Sequence, residues 1–171
     1  MARQLLTMEQ ILTILHDTPG RLSGLTGDLT EAQLHAAPEP GEWSVTEIVA
    51  HLRSCSDVWG AAIETIAATD HPTIRAVSPT TWINSTDYRE LTLASSLQAF
   101  RKQRDQLLAL LGQLPEPGWS RSATVVGGGR PLELTVHSYA GRLARHERTH
   151  WRQVAKTVRA VALAGTGRPD S

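Results

Sequence analysis

The chain of 171 residues contains a single cysteine, Cys55, which excludes an internal disulfide and any multi-cysteine metal cage. It also has no excess of charge of either sign, because seventeen Lys and Arg residues balance seventeen Asp and Glu residues. A surface that binds nucleic acid needs a basic excess to neutralise phosphates. Nucleic acid is therefore not an expected partner.

Long apolar runs are also lacking. No run approaches the roughly 20 residues that a helix needs to span a bilayer. The first residues lead into a helical pattern that contains Glu9, and they hold no apolar core of a signal peptide. We therefore expect a cytoplasmic protein that does not bind membranes.

Apolar residues recur at helical spacing in four long segments of the chain. These segments cover residues 5–25, 44–69, 92–111 and 135–164. Long connections over residues 70–91 and 119–131 separate the later segments, so tight turns alone do not join the helices. The length suits one domain over residues 1–171. The sequence therefore predicts an all-α fold, a four-helix bundle with long crossover connections.

Three local signals refine this prediction. Ser44 and Glu47 form a capping box, which marks the start of the second helix. Pro19 interrupts the first apolar stripe and predicts a kink or a break there. Val125 and Val126, just before a run of three glycines, are expected to pair briefly as a hairpin.

The last segment carries two histidines four residues apart, His146 and His150. Residues at this spacing lie one turn apart on the same helix face, and here they share the apolar row that faces the core. Buried imidazoles need polar partners, and one metal ion would satisfy both. Two separately hydrogen-bonded histidines are the alternative.

Glu147 completes the His-Glu-x-x-His pattern of zinc proteases, in which the glutamate is the general base. A third ligand usually follows downstream in those enzymes, but here no His, Glu or Cys follows His150, and the only later acid is Asp170. A protease is therefore disfavoured. We expect Glu147, next to an arginine-rich face, at the surface or behind the metal ligands.

The third ligand must then come from upstream. His51 is the best candidate, because it lies in the second helix on the edge of the apolar stripe. The remaining histidines lie in the first helical region, in a loop or at the start of the last helix: His16, His35, His71 and His137. Three neutral imidazoles with open positions form a catalytic type of metal site. We therefore predict a metal site of His51, His146 and His150.

Three neighbouring side chains are assigned packing roles. Cys55, one turn after His51, can approach the metal, but free cysteines are usually small buried apolar residues. Trp43 precedes the cap and is expected to staple the helix start onto the core. Trp151 is expected to pack beside the site.

The stretch Trp43 to Leu52, together with His146 and His150, resembles the DinB family, including its YfiT-like members, regarded as metal-dependent hydrolases. Trp119-Ser120-Arg121 and the glycine turn also resemble that family's pattern. The resemblance implies a four-helix bundle in which three histidines bind a divalent metal, zinc or nickel. The matching positions here are His51, His146 and His150.

The resemblance leaves the reaction open. Some relatives are transferases or isomerases that use a low-molecular-weight thiol, such as bacillithiol or mycothiol, and others have no established reaction. We expect either a hydrolase or a thiol-dependent S-transferase or isomerase with a small-molecule substrate, which would bind between the second and last helices. A transferase would need an external thiol, because Cys55 is the only protein thiol. A non-enzymatic bundle with a structural or sensing metal is the alternative, and a homodimer is also open.

Overall fold

The computed structural model describes residues 5–166. Its helices and strands are α1 Met8–Thr26, α2 Glu31–His35, α3 Val45–Ala68, β1 Thr73–Arg75, α4 Pro79–Trp82, α5 Leu93–Gln113, β2 Ser122–Val126, β3 Leu132–Thr135 and α6 Val136–Thr166. Two short 3₁₀ turns cover Ile83–Ser85 and Glu116–Ser120. None of the described helices is long and apolar enough to cross a bilayer.

Four long helices, α1, α3, α5 and α6, form the bundle. α1 packs against both α5 and α6, and α3 packs against the same two helices. The four helices therefore close a ring in which α1 and α3 are diagonal to each other. The predicted four-helix bundle is confirmed.

The capping box at the start of α3 is present as predicted. The Ser44 backbone N–H donates to Glu47 Oε2 at 2.8 Å, and the Glu47 N–H donates to Ser44 Oγ at 3.3 Å. These bonds satisfy two of the N–H groups that a helix start leaves unpaired. They fix the first turn of the helix that carries His51 about two turns later.

The first helix runs unbroken through Pro19, so the alternative of a break at this position is wrong. Pro19 removes one backbone hydrogen bond, which destabilises an isolated helix. Here it is buried, and Leu15 and Leu22 on either side of it are fully buried as well. Packing on both sides of the proline offsets the lost hydrogen bond.

A small sheet lies outside the bundle. β2 pairs antiparallel with β3, with Ser122 opposite Thr135, which confirms the predicted hairpin. β1 pairs parallel with β2, with Thr73 opposite Thr124, and so ties the first long connection to the second. Sequence reasoning missed β1 because three residues are too short to show a strand period.

Two apolar clusters fill the bundle, and a polar layer separates them along α3. Leu52 belongs to one cluster and Ile63 to the other. Between these two residues, Arg53, Ser54 and Ser56 are all buried. This interruption of the apolar core lies within about one turn of His51 on α3.

Candidate metal centre

The three predicted histidines converge where α3 packs against α6. His51 Nε2 lies 3.3 Å from His146 Nε2, and His150 Nε2 lies 3.1 Å from the same atom. The centroids of the three rings are 4.3 to 5.1 Å apart. The remaining histidines have other neighbours, which are Asp17 for His16, Thr46 for His35, Ser122 for His71 and Trp119 for His137.

Burial keeps these imidazoles neutral at pH 7. Together with the smaller effect of the neighbouring histidines, burial lowers the pKa of His51 to about 4 and that of His146 to about 3. Burial also lowers the pKa of His150. The neutral form is the form that binds metals, so protons do not compete for these nitrogens near neutral pH.

Gln153 sets the orientation of one ring. His150 Nδ1 donates to Gln153 Oε1 at 2.8 Å, since an amide oxygen can only accept. The Nε2 atom of the neutral ring then carries the lone pair and faces His146. Partners of this kind hold metal-binding histidines in the required tautomer.

The donor chemistry of the cluster fits a cation. His146 Nε2 faces two other Nε2 atoms and has at most one proton to share between them. His150 Nε2 already presents a lone pair. One proton cannot serve both contacts of His146 Nε2 fully, and a metal ion between the three nitrogens would accept a lone pair from each of them.

Cys55, expected only as a packing residue, lies next to the histidines. Its Sγ atom is 3.5 Å from His51 Nε2, and the donor atoms of His51, Cys55 and His146 all lie within 4.8 Å of one another. This His/Cys/His cluster also fits metal binding. Burial raises the pKa of the Cys55 thiol, and the charges of Glu147 and Asp57 raise it further. The thiol is therefore protonated in the metal-free protein.

Two tryptophans, Trp43 and Trp59, wall the imidazoles. The centroid of the Trp43 ring is 5.0 Å from that of His51 and 6.3 Å from that of His150, to which the indole is nearly parallel. Trp59 meets His146 edge-on at 5.0 Å. Sequence reasoning expected Trp43 only as a staple and placed Trp151 beside the site. Trp151 instead packs with the cluster around Leu52 and lies below Arg21.

Of the two positions expected for Glu147, at the surface or behind the metal ligands, the surface position is wrong. Glu147 is fully buried and forms an ion pair with Arg104 of α5, which is only 1% exposed. Burial raises the pKa of Glu147 to about 7, although Arg104 and Thr18 act to lower it. The signal was in the sequence, because Arg104 takes an inner position between Phe100 and Leu107 on α5. A buried arginine at such a position requires a carboxylate partner.

A small cavity of about 110 Å³ lies beside the cluster. Its lining comes from the start of α3 and from the connection after β1, and consists of Trp43, Glu47, His51, Thr80, Ile83 and Arg89. The connection thus covers one face of the site. Among the described residues, no α6 side chain lines this cavity, so it lies to one side of the expected position between α3 and α6.

Comparisons with known proteins agree with this fold. A protein of Geobacillus kaustophilus, named a putative metal-dependent hydrolase, is 24% identical over 154 residues, which are 86% of this chain and 82% of the relative. YfiT from Bacillus subtilis, described as a probable metal-dependent hydrolase with an unusual four-helix bundle topology, superposes with a TM-score of 0.80. The two chains are 18% identical, with 95% of this chain and 93% of YfiT covered.

A second solved structure has a different stated activity. The mycothiol-dependent maleylpyruvate isomerase superposes with a TM-score of 0.66 at 12% identity, covering 87% of this chain and 61% of that protein. At such identities both structures show the fold alone. The sequence model of the DinB superfamily matches residues 14–154, from α1 to the interior of α6. This chain therefore belongs to the DinB superfamily.

Proposed function

We propose that the protein is a metal-dependent enzyme in which His51, His146 and His150 hold one divalent ion, zinc or nickel. The observation that carries the proposal is the convergence of three neutral imidazole Nε2 atoms, with contacts of 3.1 and 3.3 Å, from two different helices. Nitrogen ligands of this type suit both metals. The named activities of the relatives support a metal but do not choose the reaction.

We choose His150 over Cys55 as the third ligand because the His150 side chain is already in the orientation and protonation state that bind a metal. Gln153 already orients the His150 ring so that Nε2 presents its lone pair. Cys55 is a protonated thiol that can donate to His51 Nε2, so it has a role without any metal. A thiolate, not a thiol, is the ligand form.

A divalent ion held by three neutral imidazoles acts as a Lewis acid and lowers the pKa of a water or a thiol in its open position. The chain's own residues prepare this position. Trp43 and Trp59 shield the imidazoles from bulk water, and the 110 Å³ cavity next to His51 leaves room for a small group. Glu147 is held by Arg104 and does not serve as a general base.

Two reactions follow from the two nucleophiles. With water, the enzyme is a hydrolase, which is what the relatives from Geobacillus and Bacillus are named. With a low-molecular-weight thiol, it is an S-transferase or isomerase, in line with the structural likeness to a mycothiol-dependent isomerase. Because Cys55 is the only protein thiol, this second route needs an external one.

Metal analysis of the untagged protein tests the site. We expect close to one equivalent of metal in the native protein and much less in His51→Ala, His146→Ala and His150→Ala. His16→Ala is the matched control, since its side chain is 78% exposed and contacts Asp17. Full metal content in His150→Ala would overturn the three-histidine assignment.

Cobalt substitution separates the two donor sets. With three histidines as ligands, the visible spectrum of the cobalt protein lacks thiolate-to-metal absorption, and Cys55→Ser leaves it unchanged. Strong thiolate absorption that Cys55→Ser abolishes would assign the metal to His51, Cys55 and His146 instead. New sulfur absorption on addition of an external thiol, together with thiol-dependent turnover, would select the transferase over the hydrolase.

The non-enzymatic alternative makes a different prediction. A structural metal contributes its binding free energy to folding, so the metal-free protein would unfold or lose most of its stability. None of the three histidines belongs to either of the two apolar clusters that fill the bundle. We therefore expect the chelated protein to remain folded, with a moderately lower melting temperature.

A further inference from the structure

A second and larger cavity, of about 420 Å³, lies between the bundle and the small sheet. α3 and α6 form one wall through side chains such as Trp59 and Tyr139, and the strands form the other through Ile74, Val125 and Leu134. Neither Cys55 nor any of the three histidines belongs to this lining. The cavity is therefore distinct from the candidate metal centre.

The apolar surface of the molecule concentrates at this cavity. In the described part of the chain, six large hydrophobic side chains are exposed, and three of them, Val77, Trp82 and Leu132, line the cavity. Their exposed fractions are 47%, 42% and 50%. Exposed apolar side chains gathered around one concave site mark a binding surface rather than scattered surface residues.

The strand pattern separates apolar from acidic groups at this wall. Leu132 and Leu134 of β3 line the cavity, whereas Glu133 between them bonds to Thr124 and lies near His71. Successive side chains of a strand point to opposite faces, so the carboxylate is directed away from the cavity. The sheet contributes apolar surface and no acid to the lining.

Charge at the cavity has one dominant sign. Three arginines line it, Arg75, Arg130 and Arg142, and none of them has an ion-pair partner among the described residues. Asp57 is the one acid in the lining. It already accepts hydrogen bonds from Trp82, Tyr88 and Gln103, so both of its carboxylate oxygens are engaged within the protein.

We propose that this cavity is a binding site for a small organic anion, a carboxylate with an aliphatic or aromatic body. The apolar walls take the body, and the unpaired arginines take the carboxylate, which guanidinium groups bind with two parallel hydrogen bonds. Its volume lies within the range of small-molecule sites, roughly 300–1,000 Å³. The site does not depend on the imidazoles holding a metal.

One side chain connects this site to the histidine cluster. Trp59 lines the cavity, contacts His146 edge-on at 5.0 Å and lies 5.7 Å below the Arg142 guanidinium. An anion bound at Arg142 is therefore separated from the imidazoles by a single indole ring. This placement makes the cavity suitable for a substrate or an effector of the proposed enzyme.

The binding test uses 8-anilinonaphthalene-1-sulfonate, an apolar body with one anionic group, as a fluorescent probe for the native and the chelated protein. Decanoate, decanol and decyltrimethylammonium then compete for the probe. We expect saturable probe binding to both forms of the protein and displacement by decanoate at concentrations at least tenfold lower than those of the two other compounds. Equal displacement by all three would overturn an anion site.

Matched variants locate the binding. Arg142→Gln and Arg130→Gln should each raise the Kd of decanoate about fivefold, the effect of losing an exposed ion pair. Arg159→Gln, an exposed arginine of α6 outside the lining, should leave it unchanged. An equal effect of Arg159→Gln would reduce the result to general charge attraction and refute the site.

Filling the cavity is the second test. Ala61 is exposed at the cavity wall, so Ala61→Phe should block binding without loss of the fold. Glu64→Phe places the same ring on an exposed position of α3 outside the lining. Unchanged decanoate binding in folded Ala61→Phe would overturn the proposal. Metal content serves as an independent readout, because a failure of the metal site would change it without affecting decanoate binding.

Discussion

The buried pair of Arg104 and Glu147 offers a sharp test of the structure. Both side chains are almost inaccessible, with 1% and 0% exposure, and Arg104 also donates to Ser56 Oγ at 3.2 Å. Replacing Glu147 by leucine leaves a buried guanidinium without a counter-charge. Arginine does not lose its proton in proteins, so this charge stays and destabilises the fold.

The magnitude of this loss follows from the burial. Removing one partner of a buried ion pair destabilises a protein by about 3–5 kcal/mol. For a domain of this size each kcal/mol lowers the melting temperature by roughly 2–4 °C. We therefore expect the melting temperature of Glu147→Leu to fall by about 10 °C.

Removing Arg104 while keeping Glu147 should lower the stability of the protein by less. The pKa of Glu147 is already about 7 despite the neighbouring arginine. Without Arg104 it rises further, and the carboxyl group takes up a proton instead of remaining as a buried charge. Arg104→Met should therefore destabilise the protein by less than Glu147→Leu at pH 7. The double variant should lie close to the native protein, because apolar replacement of a buried ion pair is often neutral.

Urea unfolding at pH 7 measures the stability of four chelated proteins: the native protein, Glu147→Leu, Arg104→Met and the double variant. Glu64→Leu is the control, since this exposed position of α3 should change the free energy of unfolding by no more than about 0.5 kcal/mol. A loss below about 1 kcal/mol for Glu147→Leu would refute the buried pair. A double variant as unstable as the sum of both single variants would refute the coupling.

Three further predictions concern the site. Ser44→Ala removes a helix cap and should lower the free energy of unfolding by about 1 kcal/mol, as measured by urea unfolding; unchanged stability would contradict the cap. Gln153→Ala should weaken metal binding by about 10–100-fold in competition with a chelator, whereas unchanged affinity would argue against its orienting role. In the chelated protein, His51, His146 and His150 have lowered pKa values, so the unfolded chain binds more protons than the folded protein from pH 6.5 down to about 4 for His51 and about 3 for His146. The free energy of unfolding should therefore decrease as the pH is lowered through this window, by up to about 1.4 kcal/mol per pH unit for each histidine. A free energy of unfolding in urea that does not change with pH would contradict the burial of the histidines.

Local sequence patterns were sufficient to predict the four long helices of the protein. Apolar periodicity predicted the four helices, and the Ser44 capping box predicted the start of α3, because both depend on residues within a few positions of each other. Pro19 shows the limit of local rules. It breaks an isolated helix, but in the folded protein buried neighbours on both sides keep α1 continuous.

The candidate site was predictable only where its residues share a helix or a pattern. The spacing of His146 and His150 placed both imidazoles on one face of α6, and the stretch around His51 supplied a resemblance to a known family. The position of Glu147 was misjudged because Arg145 and Arg148 lie near it in the sequence, whereas its partner in space is Arg104, 43 residues earlier.

Sequence alone thus determined the helices, the family and the histidines as candidate ligands, since these depend on short-range patterns. Tertiary packing decided the rest. It brought Trp43 and Trp59 against the imidazoles, placed Cys55 next to His51 and buried the charge of Arg104. It also joined β1 to β2, whose paired residues are 51 positions apart, and formed the wall of the larger cavity, because such contacts depend on how separate elements pack and not on local propensity.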